Sequence, residues 1–229
     1  MQTPAVLDRD SSAQYRESDE VEVLSDNHKH FCDRLTEISL SLGERIAALD
    51  LGCGTGRYFH CLANVETLTG VDVSLEMLKQ ARFPVRREVI TIGRIDLVCA
   101  NILNFHLRAH FDLIYSIGVF GENAPWNLSI CNSLHDALKP GGKLFFTVVD
   151  VFSKFPLMSK KRRLAETVNV ILPRYWKQKL RERLGTFYVT EREIIGIFKR
   201  SKFRRFDTVR HLSTARLWKG AHFECLAIR

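Results

Sequence analysis

The chain has 229 residues, 45% of them hydrophobic and 26% charged, and carries a formal net charge of +8. That is enough apolar material to fill the core of one domain, or of one domain with an elaboration. The longest apolar runs are strand-sized, far short of the roughly 20 residues that span a bilayer, which excludes helical membrane spans.

The N-terminus opens Met1-Gln2-Thr3-Pro4 with no basic-then-apolar leader. The six cysteines (Cys32, Cys53, Cys61, Cys99, Cys131, Cys225) form no Cys-x-x-Cys pair and read as reduced, largely buried thiols. Both features predict a cytoplasmic protein.

In chain order, the first 25 residues are polar, with Tyr15 among acids, and read as a partly ordered lead-in. Residues 28–42 have helical spacing, with Phe31, Leu35, Ile38 and Leu42 on one stripe and Gly43 as the stop. His28-x-His30-x-Cys32 lies in this helix. Positions i, i+2 and i+4 do not share one helix face, so no metal site is expected. A strand at 46–51 is followed by a helix at 57–64. The next strand, 67–71, leads to a helix at 74–82 capped by Ser74. Pro84 ends that helix, and strands follow at 95–100 and 111–117. A helix from about Asn127 precedes Pro140, and a strand fills 143–150.

Residues 151–189 are too long for a simple connection. Two helices fit there, 161–172 and one starting at Pro173. The second carries Trp176, Leu180 and Leu184 on a docking stripe, with Lys177, Lys179, Arg181 and Arg183 on its other faces. Thr190-Glu191-Arg192-Glu193 is a capping box opening a helix to about Ser201. Strands close the chain at 203–210 and 221–228. This alternation of apolar strands and helices predicts an α/β fold with a parallel sheet covered on both faces.

The chemistry concentrates at Asp50-Leu51-Gly52-Cys53-Gly54-Thr55-Gly56-Arg57. Three glycines at alternate positions allow a sharp turn with the backbone pressed against a ligand. A helix start behind them would aim N–H groups and a positive dipole end at a carboxylate or phosphate. Twenty residues after Gly52, Asp72 ends the second strand, where an acid can accept both ribose hydroxyls of a nucleoside. A dinucleotide fold uses G-x-G-x-x-G, but here Arg57 stands where its third glycine would fall.

Asp-x-Gly-x-Gly-x-Gly resembles motif I of the class I S-adenosylmethionine-dependent methyltransferases. The resemblance continues through 72–81, 111–116 and the Pro-Gly-Gly turn and strand of 138–147, four motifs in order. It implies a three-layer Rossmann-like methyltransferase fold, with a seven-stranded, mostly parallel sheet, an antiparallel last strand and a helical insertion after strand 5. Residues 46–150 and 190–229 would form the S-adenosylmethionine-binding core. Residues 1–45 would cap the site, and 151–189 would be a basic lid over the acceptor.

By the same resemblance, Gly52, Cys53, Gly54 and Gly56 would offer backbone to the methionine part of the cofactor. Asp50 would hold its ammonium and Asp72 its ribose. Val73 and Met77 would flank the adenine, with Asn101 and Ile102 beside it and Ser116 near the amino acid end. The family's usual Gly-Asp before that adenine position is Cys99-Ala100 here. Small-molecule members often place a histidine after strand 4. This chain has Glu122 there, the candidate base. Tyr15, Asn123, Trp126 and Trp176 are candidate acceptor contacts. Asn123-Ala124-Pro125-Trp126 only approximates the Asn-Pro-Pro-aromatic motif of enzymes that methylate nucleic acid amino groups, since it falls about six residues late. His106, His110, His135 and His211 read as structural or solvated.

Between Lys154 and Arg210 there are 17 basic and 5 acidic residues. The leading expectation is transfer of a methyl group to an oxygen or nitrogen of a small-molecule acceptor, with the basic segment selecting for an anionic or polar one. The basic segment keeps three alternatives open: an RNA acceptor, a lipid acceptor at a peripheral membrane surface, and a non-catalytic cofactor-binding scaffold.

Overall fold

The computed structural model describes residues 9–104, 110–121, 123–150, 171–173, 176, 189–212 and 221–229. Helices α1 (Arg9–Glu22) and α2 (Asp26–Leu40) precede strand β1 (Ile46–Leu51). Strand β2 (Val65–Asp72), helix α3 (Leu75–Ala81), strand β3 (Arg94–Cys99) and strand β4 (Phe111–Phe120) follow. Helix α4 (Leu128–Ala137) leads into β5 (Leu138–Val149), then α5 (Glu191–Arg200), β6 (Arg205–Leu212) and β7 (Ala221–Ile228).

The seven strands form one sheet in the order β3-β2-β1-β4-β5-β7-β6. β1 through β5 pair parallel, and β7 pairs antiparallel with both β5 and β6. Side-chain alternation assigns the two faces. Ala48, Leu113, Tyr115 and Phe145 pack beneath α2 and α3, against Phe31, Leu35, Leu78 and Ala81. Leu49, Ile114, Leu144 and Phe146 pack beneath α4 and α5, against Ile130, Leu134, Ile194 and Phe198. Each such fully buried leucine, isoleucine or phenylalanine stabilises the fold by roughly 1.5–3 kcal/mol.

The local signals hold where they were strongest. Ser74 and Asn127 cap α3 and α4, accepting from the N–H of Met77 and Ile130. Both halves of the Thr190/Glu193 capping box form at α5.

Four expectations need correcting. The polar lead-in is helical over Arg9–Glu22 and docks through polar groups. Asp19 is fully buried, with Thr55 donating to it and Arg57 paired with it, and Arg16 donates to the Phe83 carbonyl. A helix without an apolar stripe leaves no periodic trace.

Residues 57–64 hold only a three-residue 3₁₀ turn, Phe59–Cys61. Tyr58, Phe59, His60 and Cys61 are all modest helix formers. The Cys61 carbonyl accepts from the Thr36 hydroxyl at 2.9 Å, and Arg57 is drawn to Asp19.

The cysteines are not all free, because Cys32 and Cys61 are joined, their Cα atoms 5.3 Å apart. Finally, Trp176 is 58% exposed and Ile171 82%. Trp176 therefore does not anchor a buried docking stripe. Most of the 151–189 insertion, including Lys177, Lys179, Leu180, Arg181, Arg183 and Leu184, lies outside the described residues. No helix among the described residues is long and apolar enough to cross a membrane.

Candidate cofactor site

The strand order reverses between β1 and β4, and ligands of open α/β sheets sit beyond the carboxyl ends of the strands at that point. Asp50 and Gly52 leave β1 there, and Ser116 to Gly118 lie alongside on β4. The glycine turn crosses the end of β2, where the N–H groups of Gly52 and Cys53 both donate to the Val71 carbonyl, at 2.7 and 3.0 Å. Gly52 has φ +77°, and a Cβ on it would fall 2.3 Å from Val119 Cγ2. Backbone and neighbour alike therefore require glycine at this position.

Asp72 closes the other side of the turn. Its carboxylate accepts from the N–H of Gly54 at 3.0 Å and of Ser74 at 2.9 Å. Burial raises its pKa, and those backbone N–H groups oppose the rise. A carboxylate has about four acceptor positions, so two donors leave room for a pair of hydroxyls.

Asp50 is 4% exposed, and burial pushes its pKa up to about 8. The Tyr115 hydroxyl beside it works the other way, and the Asp72 charge adds to the rise. Among the described residues no cation stands against Asp50. Tyr115, its register partner on β4, is itself fully buried.

The remaining candidates fall into three groups. Met77 is buried, its methyl 3.3 Å from where a Cβ of Gly54 would be, and Val73 is half-buried nearby. Ser116 is buried and its hydroxyl donates to the Leu51 carbonyl at 2.7 Å, so its side chain holds β4 to β1. Asn101 accepts from the Leu103 N–H at 2.9 Å and shapes the turn in which Ile102 packs against the core. The Cys53 side chain points into the core, and burial raises its thiol pKa well above the usual value. What Cys53 presents at the turn is backbone.

On the acceptor side, Asn123 is exposed, with its N–H donating to the Val119 carbonyl at 2.9 Å. Trp126 is a correction. It is 3% exposed and packs against Phe120, Phe146 and Phe198, so it is a core residue and not an acceptor contact. The aromatic of the approximate Asn-Ala-Pro-Trp motif is spent on packing. Tyr15 sits 48% exposed on α1. Glu122 and His106 lie outside the described residues.

Three residues at the site escaped the sequence reading: Tyr115, Asp19 and Val119. Tyr115 occupies an inward position of β4 at the level of Asp50, which strand register would have indicated. Asp19 reaches the turn through Thr55 and Arg57, which lie 36 and 38 residues further along the chain, with no local signal.

A methyltransferase-domain family profile matches residues 48–142. The malonyl-[acyl-carrier protein] O-methyltransferase of Priestia megaterium is 31% identical over 107 residues, covering 45% of this chain and 37% of that protein. The ubiquinone biosynthesis O-methyltransferase of Idiomarina loihiensis is 35% identical over 106 residues, covering 44% and 42% respectively. The match thus spans less than half the length of these curated relatives. Among solved structures, the N-methyltransferase NodS of Bradyrhizobium japonicum, in complex with S-adenosyl-L-homocysteine, superposes with a TM-score of 0.58 at 18% identity. That likeness covers 93% of this chain and 97% of NodS. Magnesium protoporphyrin IX methyltransferase from Synechocystis gives 0.60 at 14% identity, over 88% and 83%. These low-identity likenesses concern the fold. The profile marks residues 48–142 as a methyltransferase domain, and that segment carries the glycine turn between two strand-end acids.

Proposed function

We propose that this chain transfers the methyl group of S-adenosylmethionine to an oxygen or nitrogen atom of a small-molecule acceptor. The observation that carries the reading is the pairing of Asp50 and Asp72 across a turn that only glycine can make at Gly52. The residues fit the cofactor. Asp50 is a buried acid with no cation against it among the described residues, suited to an ammonium. Asp72 keeps acceptor capacity for ribose hydroxyls, and Gly54, whose N–H it accepts, lies against Met77.

When bound, the cofactor supplies an electrophilic methyl on a sulfonium. The chain's own part is alignment and exclusion of water, and positioning of this kind contributes about 7–11 kcal/mol. Glu122 accepts the proton the acceptor loses, from the loop after β4. The O-methyltransferase relatives and the N-methyltransferase fold neighbour support oxygen or nitrogen as the atom methylated. The excess of 17 basic over 5 acidic residues between Lys154 and Arg210 supports an anionic acceptor.

Two measurements test this. Asp72→Ala removes two charge-assisted hydrogen bonds, each about 1.5–3 kcal/mol, so calorimetry should show at least roughly tenfold weaker binding of S-adenosylhomocysteine. Unchanged affinity removes the ribose assignment. Glu122→Gln should lower turnover by roughly 10²–10⁴ while leaving cofactor affinity nearly unchanged. Turnover close to wild type would reduce Glu122 to a loop carboxylate.

A further inference from the structure

Helix α2 and the 3₁₀ turn after the glycine run meet at a group of four side chains: His28, Cys32, His60 and Cys61. Their ligand atoms all lie within 4.8 Å of one another. His28 Nε2 is 3.4 Å from His60 Nε2. Cys32 Sγ is 3.2 Å from His28 Nε2 and 3.7 Å from His60 Nε2, and Cys61 Sγ is 3.6 Å from His60 Nε2. Zinc bonds of about 2.0–2.1 Å to nitrogen and 2.3 Å to sulfur imply tetrahedral edges of roughly 3.3 Å between nitrogens and 3.6 Å between nitrogen and sulfur. The observed distances scatter about those edges.

We propose that these four side chains form a structural zinc site that staples α2 to the segment carrying the cofactor turn. His28 and Cys32 are four residues apart on α2 and share one face, while His30 points elsewhere, toward Glu224. His60 and Cys61 are adjacent on the 3₁₀ turn and complete the set from the other side. Two thiolates and two imidazoles, with no carboxylate, favour zinc and leave no open coordination position. A cavity of about 470 Å³ lined by all four residues, together with Asp26, Asp33 and Arg86, gives the ion a route in.

The Cys32–Cys61 bond and the zinc site are alternative states of the same sulfurs. A dithiol opens the bond by becoming a disulfide and passing its two hydrogens to the sulfurs, or a phosphine opens it with one water, which gives its oxygen to the phosphine oxide and its two protons to the thiols. The two thiols then lose two protons to solvent as zinc binds, and the sulfurs part to the roughly 3.8 Å edge of the same tetrahedron. The site also accounts for the missing α-helix at 57–64. Presenting His60 and Cys61 together to α2 requires a tight turn there, which a continuing helix would not give.

The test uses the full chain reduced with tris(2-carboxyethyl)phosphine and titrated with cobalt(II) and zinc(II). The expected result is one equivalent of cobalt, with the intense visible bands of a tetrahedral site and an ultraviolet thiolate-to-cobalt band, both lost when zinc displaces it. Cys32→Ser and Cys61→Ser should each weaken zinc binding at least about a hundredfold. Glu224→Gln should leave the sulfur band intact, because the neighbouring His30/His211/Glu224 group contains no sulfur. Zinc-edge X-ray absorption of the wild type, which does not depend on any variant folding, should read two sulfur and two nitrogen neighbours. Absence of a thiolate band in the reduced protein, stoichiometry indifferent to both serine variants, or a Cys32–Cys61 bond that persists under reduction and excludes metal would each overturn the site.

Discussion

Asp50 is a carboxyl group whose role is set by burial. With its pKa pushed up to about 8, it holds a proton at neutral pH in the free protein. An arriving ammonium favours the charged carboxylate and lowers that pKa, so binding should expel a proton. S-adenosylhomocysteine, titrated at neutral pH in buffers of different ionisation enthalpy, should therefore give different apparent enthalpies, corresponding to the release of up to one proton. Asp50→Asn should abolish the buffer dependence, and a buffer-independent wild-type enthalpy would count against the ammonium contact. The residue itself was legible from its spacing to the glycines. Its protonation was not, because that depends on Tyr115 and Asp72, brought in by β4 and β2.

Helix α1 shows how an element can be held without a hydrophobic stripe. Asp19 has no exposed side-chain surface, and it takes Thr55 and Arg57 from the glycine turn as partners. Removing one member of a buried pair costs about 3–5 kcal/mol, and here the lower end applies because Arg57 keeps 25% of its side chain in water. Asp19→Ala should lower stability by about 3 kcal/mol in chemical denaturation and weaken cofactor binding as well, since the turn loses its brace. A loss below about 0.5 kcal/mol would mean that α1 is not coupled to the turn. By contrast, α3, α4 and α5 followed from the sequence, because Ser74, Asn127 and the Thr190/Glu193 box act within three residues of themselves.

Across the whole molecule, the far edge of the sheet is tied to α2 by a polar cluster. Glu224 on β7 meets His30 and Arg34 from α2, His211 from β6 and its neighbour His222. Burial acts to raise the Glu224 pKa, yet hydrogen bonds from His222 and His30, with their charges, hold it down to about 2. His211 is lowered from 6.5, first by burial and then by His30 and His222, with Glu224 opposing. Its sign is clear. The unfolded chain takes up this proton before the folded one, so the His211 contribution is intact above pH 6.5 and is lost as pH falls below it. Calorimetric melting of wild type and His211→Asn at a series of pH values should show wild type losing ground to the variant on acidification below that value. A constant difference would show that His211 titrates alike in both states. The Glu224 contribution is lost only lower down, as pH falls from 4.5 toward 2.

Features that are local or periodic were readable from the chain alone. Strand alternation, the caps, the Pro-Gly-Gly turn, the glycine run and the acids at two strand ends all act over a few residues, and they sufficed for the fold class and for the glycine turn flanked by two acids. Whatever depends on distant partners was settled by the packing of the elements. Trp126 stands in a loop whose sequence suggests an acceptor contact, but the aromatic cluster of β4, β5 and α5 buries it. The polar α1 was unreadable until Arg57 stood opposite Asp19. His28 and Cys32 are an ordinary pair on a helix until the 3₁₀ turn brings in His60, 28 residues beyond Cys32, together with Cys61. A side chain's chemistry can be read from its own position, but its environment comes from whichever elements the sheet order places beside it.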